Sequence, residues 1–256
     1  VYYISAYCDL LAQGAVTEGE PVNFCVPTGN FGNILSAFYA KEMGLPIGRL
    51  LCASNSNNVL TDFIATGKYD RNRPFYNTVS PSMDILISSN LERLLYLLSG
   101  GDDKLVAGYM KELSDTGCYQ VSEEMRKKIQ SVFVGGFSSE AETEATIGKM
   151  MDEHKYLIDT HTAVAFHVLE QYRKETGDQT KTVVASTASP FKFCDAVLDA
   201  LNVTDKATGT ALLDQLAEVS GMPAPQPLAT LKDKQVRFTS WTEKEQMRAV
   251  VTDFLK

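Results

Sequence analysis

A buried strand that runs through a glycine-containing turn into a helix constrains the fold of this chain more than any other feature. The β-rich run Val22–Pro27 ends in the turn Pro27–Asn30, and a helix is predicted from about Gly32. A second strand, Arg49–Ala53, follows this helix. Because a strand, helix, strand unit joins parallel strands, the sequence predicts an α/β fold with an open, mostly parallel sheet flanked by helices.

The composition favours a small-molecule role. A chain of 256 residues with 44% hydrophobic content is long enough to bury a large core. Its 24 basic and 32 acidic residues give a net charge of −8, which argues against a nucleic-acid partner. The apolar opening is interrupted by Asp9 and Gln13 and has no basic start, so it predicts neither a signal peptide nor a membrane span.

Cysteine and histidine usage points to a reducing compartment without a zinc site. The five cysteines lie far apart, with no C-x-x-C pair, and most have apolar neighbours as buried free thiols do. The three histidines form no cluster with metal-ligand spacing. We therefore predict a cytoplasmic protein that binds no metal.

The domain organisation is predicted from the helical patterns. Residues 1–220 are expected to form a partial α/β domain, and 221–256 a proline-rich linker and a last helix that opens with a capping box at Thr242–Glu245. An apolar run at 85–87 reads as a short strand, and about 89–155 reads as a helical insertion that is broken at Gly135 and Gly136. The first residue is Val and the chain opens inside a predicted helix, so we expect a fragment.

The loop at residues 27–33 carries the clearest chemical signal. Gly29 and Gly32 let the backbone turn sharply, so that successive N–H groups and the positive end of the helix dipole can face one phosphate. An ordinary tight turn between strand and helix is the competing interpretation. The segment matches neither the dinucleotide-binding nor the Walker A pattern.

A second strand end, at residues 185–190, carries small hydroxyl residues. Such residues at the carboxyl edge of a sheet are suited to hydrogen-bond a ring or a small acid, and Thr187 is the candidate here. In the competing interpretation Thr187 only helps to cap the helix that follows Ser189 and Pro190.

Taken together, these segments resemble threonine synthase, in the branch of the family whose phosphate loop reads Gly-Asn-Phe-Gly-Asn. The resemblance extends over several motifs in the order and spacing of that family and covers about 170 residues. These motifs are Pro27–Pro46, Ala53–Asn58, Ser80–Leu95, Ile158–Phe166 and Ser186–Phe193.

The resemblance implies an enzyme of the fold-type-II class, similar to the tryptophan synthase β chain, that depends on pyridoxal 5′-phosphate (PLP). It implies a lyase of threonine biosynthesis that converts O-phospho-L-homoserine and water into L-threonine and phosphate. It further implies that Thr187 hydrogen-bonds the pyridine nitrogen. The residues implied for the cofactor phosphate are Gly29, Asn30, Phe31, Gly32 and Asn33.

One element of the family pattern is missing from these 256 residues. The family forms a Schiff base through a lysine in a segment like Ser-Phe-Lys-Asp, and nothing here resembles that segment. Lys192 belongs to the strand-end motif and is not that residue. We therefore assign no catalytic residue here, expect the lysine upstream, and expect the isolated chain to be inactive.

Other polar residues of these motifs stay outside the site assignment, because each has a plainer structural interpretation. Asparagines after a strand are typical turn formers, a carboxylate would repel a phosphate and so is expected to orient a neighbouring cation or backbone group, and a histidine at a helix start usually packs against the helix. These residues are Asn55, Asn57, Asn58, Ser82, Asp84 and His161.

Three alternatives remain open. One is another fold-type-II PLP lyase, such as a serine or threonine dehydratase, against which the Asn-Phe pair in the loop argues. Another is a catalytically inactive threonine-synthase-like protein that binds a phosphorylated ligand. A dinucleotide-binding oxidoreductase is weakened by the lack of a G-x-G-x-x-G motif. The sequence does not decide between a monomer and a dimer.

Overall fold

A computed structural model describes residues 1–256 as alternating helices and strands. The strands are β1 (Val22–Pro27), β2 (Ile47–Ser54), β3 (Lys68–Asp70), β4 (Cys118–Gln120), β5 (Phe133–Phe137) and β6 (Thr182–Val184). The helices are α1 (Tyr2–Ala12), α2 (Gly32–Glu42), α3 (Val59–Thr66), α4 (Leu91–Leu98), α5 (Asp103–Thr116), α6 (Glu123–Val132), α7 (Glu140–His154), α8 (Thr160–Thr176), α9 (Cys194–Ala200), α10 (Ala211–Ser220), α11 (Gln226–Ala229) and α12 (Met247–Phe254).

The main sheet has four strands in the order β5-β2-β1-β6, and every neighbouring pair is parallel. The expected fold class is thereby confirmed. Strand β1 lies in the interior of the sheet and is buried along its whole length, as its apolar sequence predicts. Strands β3 and β4 form a separate antiparallel pair.

Successive residues of a strand point to opposite faces of the sheet. The side chains of β1 and β2 therefore pack alternately into two hydrophobic cores, one on each face. Phe24 and Leu50 belong to the larger core, which packs on α1 to α6. Cys25 and Leu51 belong to the core on the other face, which is covered by α8. A third cluster joins α7, α8, α9 and α10. The main sheet is thus covered by helices on both faces.

The helical region is broken at Gly135 and Gly136 as predicted, but the break is not a simple turn, because these glycines lie in β5 of the main sheet. A Cβ atom on Gly135 would lie 2.9 Å from the Cα atom of Thr61 in α3, and one on Gly136 would lie 2.6 Å from a methyl group of Val168 in α8. Glycine is needed here because helices approach the strand closely from both faces. In the sequence, the glycine pair interrupts the apolar run Val132–Val134 and so weakens its strand signal.

Two further sequence predictions differ from the structure. No strand forms at 85–87, because the backbone groups of Leu86 and Ser88 are bound by a side-chain hydroxyl instead of a neighbouring strand. The predicted capping box after Thr242 is absent, and α12 starts only at Met247, with its apolar residues exposed. The domain limits at 220 and 221 stay a prediction.

None of the helices combines the length and the apolarity needed to cross a bilayer.

Candidate functional site

The loop between β1 and α2 presents a row of backbone donors at the carboxyl edge of the sheet. None of the N–H groups of Gly29–Asn33 makes a hydrogen bond within the protein, and three of these five residues are exposed. Phe31 adopts a left-handed conformation with φ 64° at the start of α2. Its ring is buried against Phe133, with centroids 5.4 Å apart, so Phe31 offers a ligand only its backbone.

Glycine occupies the two loop positions where other parts of the chain come close. A Cβ atom on Gly29 would lie 2.9 Å from the carbonyl oxygen of Ser82, and one on Gly32 would lie 3.2 Å from Nδ2 of Asn90. The loop is therefore a concavity that side chains would fill. Free N–H groups, the positive end of α2 and close backbone approach together suit one phosphate group. The residues present therefore fit the phosphate of the cofactor that the sequence implies.

The latch segment, residues 86–90, holds this loop in place. The hydroxyl of Ser88 donates to the carbonyl oxygen of Gly29 at 2.8 Å. Asn90 donates to the carbonyl oxygen of Asn30 through both its backbone N–H, at 3.1 Å, and its side-chain amide, at 2.8 Å. The latch segment binds the carbonyl groups of the loop and leaves its N–H groups available to a ligand.

Asn33 and Thr187 line the same cavity, which has a volume of about 490 Å³ and lies beside α1, β1 and β6. The hydroxyl of Tyr3 donates to Oδ1 of Asn33 at 2.8 Å and so orients its side chain. Thr187 is exposed just beyond the end of β6. The structure thus brings the end of the loop Gly29–Asn33 and the strand-end threonine to one cavity, near the carboxyl edge where open α/β sheets bind their ligands.

Asp84 is the centre of a polar network next to the loop. Its Oδ1 accepts hydrogen bonds from the side-chain amides of Asn55, at 2.8 Å, and Asn57, at 3.0 Å, and from the hydroxyl of Thr78, at 2.7 Å. Its Oδ2 accepts the N–H of Thr78 at 2.9 Å. Asp84 therefore orients a backbone group, and the asparagines are donors to a carboxylate in addition to forming a turn.

His161 packs at the start of α8 and also supports residue 82. Its ring is buried 4.9 Å from the ring of Phe193, and its Nε2 accepts the backbone N–H of Ser82 at 3.2 Å. Nδ1 lies 3.3 Å from Oδ1 of Asp159, which assigns the ring proton to Nδ1. Burial opposes ionisation of Asp159, but hydrogen bonds from His161 and Thr162 outweigh it and lower the pKa of Asp159.

Two charged residues that lie near the loop, Glu140 and Arg93, are not identified from the sequence. Glu140 accepts the N–H of Val79 at 2.8 Å, and burial, followed by the charge of Asp84, raises the pKa of this carboxyl group. Arg93 is exposed and donates to Oδ1 of Asn90 at 2.6 Å, which places a cation beside the latch segment. Glu140 reaches its partner across 61 residues of sequence, so no local pattern identifies it. The Asn90 and Arg93 pair is one helical turn apart and could have been found from its spacing.

Comparison with known proteins identifies the same family. The model of the family described as "Threonine synthase, C-terminal" matches residues 162–251. Threonine synthase-like 1 of Homo sapiens is 43% identical over 225 residues, which is 87% of this chain and 30% of that protein. Threonine synthase of Saccharomyces cerevisiae is 39% identical over 199 residues, which is 72% of this chain and 39% of that protein.

The fold agrees with these relatives. The crystal structure of PLP-bound threonine synthase from Brucella melitensis superimposes with a TM-score of 0.81 at 35% identity, over 99% of this chain and 48% of that one. The parallel sheet, its flanking helices and the glycine loop define a protein of the fold-type-II PLP class. Within this class the chain belongs to the threonine synthase family. It spans about a third to a half of the length of these relatives.

Proposed function

We propose that the loop Gly29–Asn33 binds the phosphate group of PLP and that Thr187 hydrogen-bonds the pyridine nitrogen. The observation that carries the proposal is the row of unpaired N–H groups at the start of α2, which shares one cavity with Thr187 through Asn33. A dianion requires several donors at one place, which the loop backbone offers. A ring nitrogen requires a single neutral donor, which a threonine hydroxyl supplies.

We further propose that the complete protein converts O-phospho-L-homoserine and water into L-threonine and phosphate in the cytoplasm. When bound, PLP supplies an electron sink for carbanion chemistry next to the substrate amino group. The chain itself binds the cofactor phosphate through the loop. Its latch segment keeps the carbonyl groups of that loop engaged, and Arg93 supplies a positive charge nearby that can attract the phosphorylated substrate.

A second candidate function is a threonine-synthase-like protein that binds a phosphorylated ligand without turnover. It is favoured by one observation, the 43% identity with relatives named Threonine synthase-like 1 in Homo sapiens and Macaca fascicularis. Both candidates use the same phosphate loop. They differ in turnover, and therefore in whether the complete protein carries the lysine that this chain lacks.

The site is tested with pyridoxine 5′-phosphate, which has the ring and phosphate of the cofactor but no aldehyde and so needs no lysine. We expect nuclear magnetic resonance (NMR) titration of this chain to shift the amide signals of Gly29–Asn33, while pyridoxine without phosphate leaves them unchanged. Gly32→Val should weaken binding by about 2 kcal/mol or more, as expected for lost charge-assisted hydrogen bonds. Equal affinity in the variant, with the circular dichroism spectrum intact, would exclude the loop as the phosphate site.

The reaction is tested separately on the complete protein. Threonine and phosphate formed in equal amounts from O-phospho-L-homoserine support the synthase. Binding of pyridoxine 5′-phosphate at the loop without any product supports the inactive relative.

A further inference from the structure

A hydroxyl group of the larger hydrophobic core lies directly behind the latch segment. Tyr69 of β3 is 1% exposed, and its ring stacks on that of Tyr119 of β4, with centroids 5.3 Å apart and ring planes within 2° of parallel. The hydroxyl of Tyr69 accepts the backbone N–H of Ser88 at 2.7 Å and donates to the carbonyl oxygen of Leu86 at 3.1 Å. One side chain therefore binds both backbone groups that a neighbouring strand would otherwise bind.

The hydroxyl can make both hydrogen bonds only while it keeps its proton. Burial raises the pKa of Tyr69 to about 12, although the N–H of Ser88 opposes this shift. The phenol is therefore neutral in the physiological range and remains a donor to Leu86. Its position is fixed by the stack with Tyr119 and by an edge contact with Phe63, whose ring centroid is 5.7 Å away.

From this hydroxyl, a short series of hydrogen bonds leads to the phosphate loop. Ser88 donates its backbone N–H to the hydroxyl of Tyr69 and its side-chain hydroxyl to the carbonyl oxygen of Gly29 at 2.8 Å. Two residues later, Asn90 binds the carbonyl oxygen of Asn30 twice. A shift of the latch segment would therefore move both carbonyl groups, and with them the N–H groups on the other side of the same peptide planes.

We propose that Tyr69 is a positioning residue for the phosphate loop, acting through the latch segment without touching the ligand. The identity of the ligand rests on the proposed function, but the mechanical link from Tyr69 to Gly29 and Asn30 does not. The hydroxyl, and not the ring, positions the latch segment, because a phenylalanine would preserve the ring stacking but lose both hydrogen bonds.

The structure offers a matched control in the same stack. Of the two stacked rings, only Tyr69 uses its hydroxyl in hydrogen bonds to the latch segment. Tyr119 is 3% exposed and lies opposite Tyr69 in the β3 and β4 pair. Tyr69→Phe and Tyr119→Phe each remove one hydroxyl from the same cluster, and only the first should disturb the loop.

The experiment compares the 256-residue chain and the two variants by NMR. In Tyr69→Phe we expect shifted amide signals at Gly29–Asn33 and about tenfold faster hydrogen exchange at the Asn90 amide. We also expect about tenfold weaker binding of pyridoxine 5′-phosphate, the size that losing one hydrogen-bonded contact produces. In Tyr119→Phe all three quantities should stay within about twofold of the parent chain, since no latch hydrogen bond is lost.

Unchanged loop signals and Asn90 exchange in Tyr69→Phe overturn the proposal, as do equal changes in both variants, which would show general loosening of the cluster. If the parent chain does not bind pyridoxine 5′-phosphate, the proposed cofactor site fails, while the loop signals and Asn90 exchange still decide the role of Tyr69. If Tyr69→Phe does not fold, Ser88→Ala removes the next hydrogen bond of the series. Loop signals that stay unchanged in that variant overturn the proposal.

Discussion

The carbonyl oxygen of Ser82 lies 2.9 Å from the point where a Cβ atom on Gly29 would stand. Gly29 and Ser82 are 53 positions apart in the sequence, yet the loop Gly29–Asn33 and the turn at residues 81–83 meet at this contact. His161 fixes the position of this turn, because its Nε2 accepts the backbone N–H of Ser82. The loop and the polar network of Asp84 therefore form one unit, and a side chain at Gly29 would force them apart.

We expect Gly29→Ala to lower the free energy of unfolding by about 1–3 kcal/mol, the usual cost of forcing extra volume against packed backbone. Urea denaturation monitored by circular dichroism measures this change. Gly108→Ala is the matched control, because a Cβ atom on Gly108 meets nothing within 4 Å and the residue lies inside α5. That substitution should stabilise the protein by roughly 0.5–1 kcal/mol. A Gly29→Ala variant as stable as the parent contradicts the close contact.

The network around Asp84 gives a second prediction. In Asp84→Asn one oxygen becomes an NH₂ group that faces other donors, so at least one buried donor loses its acceptor. We expect a loss of about 1–3 kcal/mol in the free energy of unfolding. Asp115→Asn removes only an exposed pair with Lys111 and should change stability by less than ~0.5 kcal/mol. Similar stabilities of the two variants would argue against a structural role of Asp84.

The local part of the fold could be predicted from the sequence because its signals are local. The apolar run Val22–Pro27 and the start of α2 at Gly32 agree with the structure, since a buried strand and a glycine turn need no distant partner to be recognised. Strand β5 could not be predicted. Its Gly135 and Gly136 are required by the approach of Thr61 and Val168, which only the folded chain brings together.

The same distinction holds for the site. The loop and Thr187 could be proposed from motifs at the ends of two strands, and the cavity contains Asn33 together with Thr187. The support of the loop could not be foreseen. It depends on Tyr69, whose hydroxyl takes the place of a neighbouring strand. The contact between Glu140 and the N–H of Val79 also joins residues that are distant in the sequence and gives no local signal.

Asp159 predicts a pH dependence of stability. Because its pKa is lowered in the folded protein, its contribution is complete above its unfolded pKa of about 3.9 and is lost as pH falls through the folded pKa. The free energy of unfolding of the parent chain should therefore exceed that of Asp159→Asn at pH 6, and this difference should shrink below about pH 4. Urea denaturation between pH 6 and pH 2.5 measures it. A difference that stays constant or grows on acidification contradicts a lowered pKa.

Thr187 provides the sharpest test of the proposed cofactor geometry, because a threonine hydroxyl can bind a pyridine nitrogen but cannot keep it protonated as a carboxylate would. Thr187→Val keeps the shape and removes the hydroxyl. In the complete protein we expect turnover of O-phospho-L-homoserine to fall roughly 10- to 100-fold, which corresponds to ~1.4–2.8 kcal/mol of transition-state stabilisation. Thr182→Val is the matched control, since this residue lies at the start of β6 and its hydroxyl binds only the carbonyl oxygen of Thr180.

Thr187→Asp separates a ring contact from a role in shaping the strand end. A carboxylate at this position favours a protonated ring nitrogen, which strengthens the electron-withdrawing power of the cofactor and changes how the carbanion divides between products. The measurement is the ratio of threonine to 2-oxobutyrate formed from O-phospho-L-homoserine, with the absorption spectrum of the bound cofactor as a second readout. We expect Thr187→Asp to change both and Thr182→Val to change neither. An unchanged rate, spectrum and product ratio in both Thr187 variants would remove this residue from the site and leave the phosphate loop as its remaining support.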